Sequence, residues 1–324
     1  MLHLVTGGAG FLGSHLCNAL VDGGDRVVII DNLLTGHVRN LEHAVSSGRA
    51  TFVFGDVATG PKEIATLLHD ALAGKRVERI WHLASPASPD AYGKHPWETL
   101  AVNGYATMAL IEFALAHDSR FLYTSTSEIY GDPLVHPQPE SYFGNVDPIG
   151  PRSCYDEGKR FGEAAVAAGV RSLGLDGRIV RFFNCYGPMM EQGDGRLVPA
   201  LIEAIQKGKP LPVQGTGKQT RSMTYVDDAI ALLRLVMERP QAALQPINIG
   251  NDDERSVEDI ARTLAAVAGV NPEIAYEPAR EGDPQRRKPD LTLARGYGWE
   301  PVTSLEDGLR MTWQWFKEER LAFA

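Results

Sequence analysis

The 324-residue sequence predicts an α/β protein built on a doubly wound parallel sheet, with a smaller C-terminal α/β lobe. Three observations predict this class. Short apolar segments alternate with amphipathic ones through the first half, which is typical of a parallel sheet with helices on both faces. A glycine-rich turn follows the first apolar segment. After about Asn184 the segments become shorter and richer in Gly and Pro, which indicates a second lobe.

The order of elements follows from the hydrophobic pattern. Strands are predicted over residues 2–5, 26–30, 50–54, 77–83, 120–123 and 177–183. Helices are predicted over residues 11–22, 61–73, 97–117, 153–173, 197–207, 226–238, 256–268 and 305–317. We therefore expect a nucleotide-binding domain over residues 1–183 and a substrate lobe formed mainly by residues 184–324, with the chain crossing between the two. The proline-rich connection 132–151 is long enough to predict a functional loop.

Composition and charge exclude several classes of protein. The chain is 44% hydrophobic and 23% charged, which suits a folded protein with a full core. Its net charge is −9 and it has no run rich in Lys and Arg, so neither nucleic acid nor an anionic membrane is an expected partner. The histidines have no metal-binding spacing, so we predict no metal site.

The cysteine pattern and the first residues bear on location. Cys17, Cys154 and Cys185 have no CxxC spacing, which favours a cytoplasmic protein over a disulfide-linked one. The sequence does not begin with the pattern of a signal peptide. No apolar run approaches the ~20 residues that span a bilayer.

The glycine-rich turn predicts a dinucleotide site. Gly7, Gly10 and Gly13 lie between the first strand and the first helix, and Asp31 ends the next strand. Glycines let backbone amides approach a pyrophosphate, and the acidic residue accepts from ribose hydroxyls. A carboxylate at position 31 repels a 2′-phosphate, so NAD is favoured over NADP. Asp56 is a second candidate for cofactor binding, where it would contact the adenine amine. Its alternative role is to cap the N-terminus of the helix predicted from residue 61.

A second group of residues predicts acid–base chemistry. The segment 124–128, Thr-Ser-Thr-Ser-Glu, follows a predicted strand, and Tyr155 and Lys159 lie one helical turn apart. A nearby ammonium favours phenolate over phenol, so Tyr155 is a candidate general base. Glu128 adds a second acid–base group, which a simple alcohol oxidation does not require. Its alternative role is that of a structural carboxylate beneath the 132–151 loop.

The sequence resembles extended short-chain dehydrogenase/reductases of the Rossmann type that act on nucleotide sugars, and most of all UDP-glucuronate decarboxylases. The resemblance covers almost the whole chain. Its more specific parts are the Glu128 segment and Arg-Lys-Pro-Asp at 287–290. The segments that carry it are 82–89, 125–132, 136–138, 142–160, 181–188, 194–196, 219–221 and 283–290.

The resemblance implies a cycle of reactions. Tyr155 and Thr126 would contact the sugar C4 hydroxyl, and Lys159 would bind the nicotinamide ribose and lower the pKa of Tyr155. Oxidation by NAD at C4 gives a β-keto acid, whose carboxylate leaves as CO₂. Arg287 would orient that carboxylate, and Glu128 with Ser127 would assist reprotonation at C5. Reduction at C4 then yields UDP-xylose.

The resemblance also assigns binding residues. The candidate cofactor-binding residues are Gly7, Gly10, Phe11, Leu12, Gly13, Asp31, Asn32, Asp56, Val57, Leu83, Ala84, Ser85, Asn103, Tyr155 and Lys159. The candidate substrate-binding residues are Pro86, Glu128, Asn184, Arg196, Val198, Arg221 and Arg287. A homodimer is expected through the helices predicted over 97–117 and 153–173.

Several alternatives remain open from the sequence. A UDP-glucuronate 4-epimerase shares the oxidation at C4, although Glu128 favours decarboxylation. A 4,6-dehydratase usually pairs an Asp with the Glu, whereas position 127 is Ser. A non-catalytic nucleotide-sugar-binding regulator is the third. The basic run Arg286–Lys288 could instead be a solvated surface segment with no role in the site. Met189-Met190 stands where the family usually has Arg-Met, which leaves room for a different nucleotide.

Overall fold

A computed structural model describes residues 1–242, 244–279 and 284–322. Its centre is a seven-stranded parallel sheet with strand order β11-β6-β5-β4-β1-β2-β3. The strands are β1 Leu2–Thr6, β2 Arg26–Asp31, β3 Ala50–Phe54, β4 Arg79–His82, β5 Arg120–Thr126, β6 Gly177–Phe182, β7 Cys185–Tyr186, β8 Leu211–Gln214, β9 Thr220–Ser222, β10 Thr224–Tyr225, β11 Ile247–Ile249, β12 Glu254–Ser256 and β13 Ile274–Glu277.

Helices cover both faces of the sheet. They are α1 Phe11–Asp22, α2 Glu42–Ser46, α3 Pro61–Leu72, α4 Pro89–Lys94, α5 Pro96–Asn103, α6 Tyr105–His117, α7 Ser153–Leu173, α8 Leu197–Gln206, α9 Val226–Glu238, α10 Val257–Val267, α11 Thr292–Gly296 and α12 Leu305–Ala322. Short 3₁₀ helices are Val38–Leu41, Ser127–Tyr130 and Pro240–Ala242.

Two hydrophobic cores lie on opposite faces of the sheet. Side chains alternate along a strand, so Val5 of β1 packs with α1 and α9 while Leu4 packs with α3 and α6. Both faces are therefore buried, which explains why all five residues of β1 are buried and why the strands read as continuous apolar segments. This confirms the predicted doubly wound α/β class.

The strand order reverses beside β1. The chain runs from β1 outward to β3, then returns to β4 on the other side of β1. In such sheets ligands bind beyond the carboxyl ends of the strands at this switch point. Late in the sequence the chain rejoins the sheet, because β11 pairs with β6. The pairs β8–β13 and β9–β12 lie outside the large sheet and form part of the second lobe.

Two of the differences from the sequence prediction concern elements beside the cleft. The helix predicted over 97–117 is two helices, α5 and α6, because the backbone of Gly104 is not helical (φ −96°, ψ −80°). Strand β5 continues to Thr126 rather than ending at Tyr123, because Thr124, Ser125 and Thr126 pair with β6. The hydroxyl-bearing residues Thr124, Ser125 and Thr126 are therefore the last residues of a buried strand.

The stretch Pro96–His117 is a long apolar helical segment. By length and composition it could cross a membrane, and 56% of its most apolar window is buried inside the protein. Most of its apolar side chains pack in the core beside β4 and β5, as those of Ala106, Leu110 and Phe113 do.

The long loop 132–151 fastens a distant segment of the chain. Gln138 accepts from Lys288 N through its carbonyl side-chain oxygen (2.9 Å) and donates to Val135 O (2.7 Å). Its backbone also pairs with Lys288 and Asp290. The loop therefore holds the segment that carries Arg287 against the end of the sheet. Asp283, the first residue of the motif 283–290, lies outside the described residues.

We expect Gln138→Ala to loosen this attachment. Two side-chain hydrogen bonds are lost, so the free energy of unfolding should fall by about 2 kcal/mol. Gln192→Ala removes an exposed amide that donates to Gln206. This control should change the free energy of unfolding by less than about 0.5 kcal/mol. Urea denaturation of both variants measures the difference; equal effects would contradict the role given to Gln138.

Candidate active site

The glycine turn lies at the carboxyl end of β1, with almost no space around it. A Cβ on Gly7 would lie 2.6 Å from backbone atoms of Ala84, and a Cβ on Gly13 would lie 2.1 Å from Gly7 O. Gly7 also has φ +71°, which favours glycine. Helix α1 begins directly after Gly10, so its free amides face the same cleft. This backbone fits a pyrophosphate bound at a helix N-terminus.

Asp31 stands at the end of β2, beside that turn. Its carboxylate accepts from Ala9 N (3.0 Å) and Leu33 N (2.8 Å), which fix its direction. Burial raises its pKa, and the two amides oppose that shift. Asp56 accepts from Ala58 N (2.7 Å) and from Asn32 (3.1 Å). The cap of the helix beginning at Pro61 is Gly60, so Asp56 does not have the alternative role of helix cap.

These residues line a cleft of about 730 Å³. Its walls include most predicted cofactor residues: Gly7, Gly10, Phe11, Leu12, Gly13, Asp31, Asn32, Asp56, Val57, Leu83, Ala84 and Ser85. Pro86, predicted for the substrate, also lines this cleft. Asn103 does not line it. It is fully buried and donates to Ser85 Oγ (3.0 Å), so it supports a wall residue from behind.

A second cavity of about 510 Å³ shares six wall residues with this cleft: Phe11, Leu12, Leu83, Ser85, Ala87 and Arg196. The catalytic and substrate-binding candidates line it: Thr126, Ser127, Glu128, Tyr155, Lys159, Asn184, Arg196, Val198, Arg221 and Arg287. The structure therefore brings together residues from β5, from α7 and from the second lobe. The two cavities adjoin, as a cofactor and a reacting substrate require.

Tyr155 and Lys159 are both buried on α7. Lys159 Nζ donates to Thr124 O (2.8 Å) and lies 5.9 Å from the centre of the Tyr155 ring. Burial lowers the pKa of Lys159 to about 7. Burial raises the pKa of Tyr155, and the Thr126 hydroxyl opposes that shift. Desolvation of the phenolate has the largest influence on this pKa, so the lowering expected from Lys159 stays a prediction.

Tyr92 is a wall residue that the sequence analysis missed. It lies on α4, and its ring stacks on that of Tyr155 with centres 5.0 Å apart and planes 9° apart. Such stacking fixes the plane of the Tyr155 ring. The sequence offered no signal for it, since Tyr92 is 63 residues away.

Glu128 lies between two arginine side chains in this cavity. Arg287 donates to both of its carboxylate oxygens, and Arg152 donates to Oε2 as well. Burial alone raises the pKa of Glu128, but Arg287 and Arg152 outweigh it and hold the pKa below its usual value. The carboxylate is therefore ionised, faces the cavity and contacts two cations. Arg152 was not among the predicted site residues, although it lies three positions before Tyr155.

The basic run around Arg287 is not a uniform surface. Arg287 is 5% exposed, whereas the side chain of Arg286 is 59% exposed and pairs with Glu254 at 3.5 Å. The solvated alternative therefore fits Arg286 but not Arg287. Asn184 Oδ1 accepts weakly from Arg287 (3.5 Å), so it also lies beside this charge.

The other predicted substrate contacts lie along the same cavity. Arg221 is 7% exposed and donates to Thr220 O (2.7 Å). Arg196 pairs with Asp194, and its guanidinium lies 5.8 Å from the centre of the Phe11 ring. Both cations line the cavity, which also has apolar wall residues, Val198 among them. Guanidinium groups in such a place suit phosphate.

The structure also places the cysteines and two tryptophans of the last helix. Cys185 lines the cavity and Cys154 Sγ contacts Tyr92 O at 3.7 Å, and all three cysteines are free. Trp313 and Trp315 of α12 pack against the core. Within residues 1–242, 244–279 and 284–322, no group of three His, Cys, Asp or Glu side chains is placed to hold a metal ion.

The fold and the two cavities define a nucleotide-dependent enzyme of the short-chain dehydrogenase type. The chain belongs to the NAD dependent epimerase/dehydratase family, whose model matches residues 3–250. Its cofactor is NAD, and the backbone around Gly7 and Gly13, with Asp31 beside it, fits that group.

Among its relatives are UDP-glucuronic acid decarboxylases. Decarboxylase 1 from Xenopus tropicalis is 41% identical over 319 residues, which are 98% of this chain and 72% of that protein. Decarboxylase 3 from Arabidopsis thaliana is 43% identical over 308 residues, which are 94% of this chain and 86% of that protein.

Solved structures with this fold include two epimerases. UDP-glucose 4-epimerase from Thermotoga maritima, solved with UDP-glucose, has a TM-score of 0.89 at 30% identity and covers 99% of this chain and 100% of its own. UDP-glucuronic acid 4-epimerase from Bacillus cereus, solved with UDP-glucuronic acid and NAD, has a TM-score of 0.85 at 28% identity. It covers 98% of this chain and 100% of its own.

We expect Gly13→Ala to abolish NAD binding. The added Cβ would lie 2.1 Å from Gly7 O, so the turn must move out of the position that receives the pyrophosphate. Gly296→Ala is the matched control, because a Cβ there meets open space. Calorimetric titration with NAD⁺ measures both; undiminished affinity in Gly13→Ala would contradict the assignment of the cleft.

Proposed function

We propose that this protein decarboxylates UDP-glucuronate to UDP-xylose through a 4-keto intermediate. The observation that carries the proposal is Glu128, an ionised carboxylate paired with Arg287 in the same cavity as Thr126 and Tyr155. A C4 oxidation site therefore lies beside a cation suited to a carboxylate. The identity of 41–43% to UDP-glucuronic acid decarboxylases over nearly the whole chain supports the same substrate.

Tyr155 is the group that exchanges a proton with the sugar C4 oxygen. It lines the second cavity, which adjoins the cofactor cleft, and Thr126 is close enough to hydrogen-bond to the phenol. NAD, when bound, supplies the acceptor and donor of the C4 hydrogen. Lys159 has a supporting role. In contact with a nicotinamide ribose, its ammonium group would favour the ionised form of Tyr155 and oppose the rise in pKa that burial causes.

Arg287 is the group that receives the substrate carboxylate. In the 4-keto sugar the C5–C6 bond breaks, its electron pair moves into an enolate that spans C5, C4 and the C4 oxygen, and CO₂ leaves. A proton is then added at C5. Glu128 and Ser127 line the same cavity, where they can order the proton donor.

The 4-epimerase is the second candidate, and one observation favours it. The Bacillus cereus structure with UDP-glucuronic acid and NAD has the same fold over 98% of this chain. An epimerase must protect the 4-keto acid from losing CO₂, and two cations around Glu128 beside the reacting carbon do not serve that purpose. The two functions give different products from the same substrate.

Product analysis tests the proposal. Purified protein with UDP-glucuronate and NAD⁺ should give UDP-xylose and stoichiometric CO₂, followed by proton NMR and CO₂ trapping. Glu128→Gln and Arg287→Ala should slow CO₂ release at least ~100-fold, the usual cost of losing such a group. Gly296→Ala should match the wild type. UDP-galacturonate without CO₂ would establish an epimerase instead.

We also propose a homodimer formed through α5, α6 and α7. Leu100, Met108 and Phe161 are 40%, 43% and 46% exposed, although large apolar side chains are usually buried. Together they give these helices an exposed apolar face, and such a face marks an interface more often than a free surface.

We expect Met108→Glu with Phe161→Glu to dissociate the dimer, since two charges would be buried without partners. Met311→Glu is the control: Met311 is 42% exposed but lies on α12. Sedimentation velocity gives the mass of each. A wild-type monomer at micromolar concentration would refute the dimer.

A further inference from the structure

Glu128 pairs with two arginines, and they reach it from different parts of the chain. Arg287 comes from the segment fastened by the 132–151 loop, and its two nitrogens contact both carboxylate oxygens. Arg152 immediately precedes α7, and its guanidinium donates to Oε2 of Glu128. Two guanidinium groups therefore contact one buried carboxylate.

Arg152 is tied to the helix that carries Tyr155. Its carbonyl oxygen accepts from Tyr155 N (3.0 Å) and from Asp156 N (3.1 Å), so it begins the first turn of α7. Its guanidinium also lies 3.9 Å from the Asp156 carboxylate. The Arg152–Glu128 pair thus joins α7 to the end of β5.

The second cation matters once a substrate carboxylate enters. In the proposed function Arg287 binds the carboxylate of the nucleotide sugar, so it must give up part or all of its contact with Glu128. A buried carboxylate without a cation binds a proton instead of keeping its charge. Two carboxylates need two guanidinium groups, and this cavity has them.

We propose that Arg152 is a positioning residue that keeps Glu128 ionised and in place while Arg287 turns to the substrate carboxylate. The inference rests on the proposed function. It fits the observed contacts: Arg152 donates to Oε2, and Arg287 donates to Oε1, which becomes available when the substrate binds. When CO₂ leaves, Arg287 loses its second partner and returns to Glu128.

Other charges around Glu128 must be considered. Arg221 faces Glu128 from β9 and also favours the ionised form. Asp156 is buried, and desolvation and Glu128 raise its pKa to about 7. Further titratable neighbours among the described residues include Tyr92, Tyr155 and Glu157. Asp156 is thus the competing proton acceptor, and the experiment must separate it from Glu128.

Proton uptake on binding tests the inference. Titration calorimetry in two buffers of different ionisation enthalpy counts the protons bound with UDP-glucuronate. All proteins carry Tyr155→Phe and saturating NAD⁺, so that no turnover contributes heat. Arg152→Gln should take up about one proton more than the protein with Arg152, and its affinity should fall about tenfold per pH unit above neutrality. UDP-glucose, which lacks the carboxylate, should bind both proteins equally.

Two controls assign the proton. Arg171→Gln removes an exposed cation near the other end of α7 and should leave the count unchanged. Adding Glu128→Gln to Arg152→Gln should abolish the extra proton; if the proton persists, Asp156 takes it and the inference is wrong. Arg152→Met repeats the test if thermal melting shows that Arg152→Gln does not fold.

Kinetics provides an independent readout. In otherwise wild-type protein, Arg152→Gln should lower kcat for CO₂ release at least about tenfold, which corresponds to 1.36 kcal/mol. In a Glu128→Gln background the same change should have much less effect, because the partner is already neutral. Equal effects in both backgrounds, or an unchanged proton count, overturn the role of Arg152. Absence of CO₂ from the wild type overturns the proposed function instead.

Discussion

The ion pairs of Glu128 with Arg287 and Arg152 are the interaction on which the rest of this site depends. A carboxylate that is 14% exposed keeps its charge only because two guanidinium groups contact it. Removing both cations would leave a buried charge without a partner, which is far more costly than losing an exposed ion pair. The same charges set the chemistry, because a cavity lined by several guanidinium groups beside an oxidation site attracts an anionic sugar.

The fold explains how three distant segments meet at this point. Parallel strands end at one edge of the sheet, so the end of β5 and the start of α7 lie beside the cofactor cleft at the end of β1. The chain then returns through β11, and the 132–151 loop pairs with residues 288–290. That pairing brings Arg287 to Glu128 across 159 residues of sequence. The second lobe closes the cavity with Arg221 and other side chains.

Much of this arrangement could be predicted from the sequence. Apolar runs separated by helices identify a parallel sheet, and Gly13 and Asp31 mark the cleft through backbone chemistry that needs no tertiary information. The contact of Arg152 with Glu128 could not be predicted, because it depends on side-chain direction. The effect of burial on the pKa of Tyr155 could not be predicted either, since it does not follow from the spacing of Tyr155 and Lys159. The interruption of the helix at Gly104 depends on backbone torsion angles, which the apolar pattern does not reveal.

The most direct measurement follows isotopes in D₂O. UDP-glucuronate is incubated with NAD⁺ and the protein, and the product is examined by NMR. The account predicts UDP-xylose that carries solvent deuterium at C5 and protium at C4, because C5 receives a proton from solvent after CO₂ leaves while the C4 hydrogen returns from the cofactor. A six-carbon product without deuterium, with its carboxylate retained, would contradict the role assigned to Glu128 and Arg287.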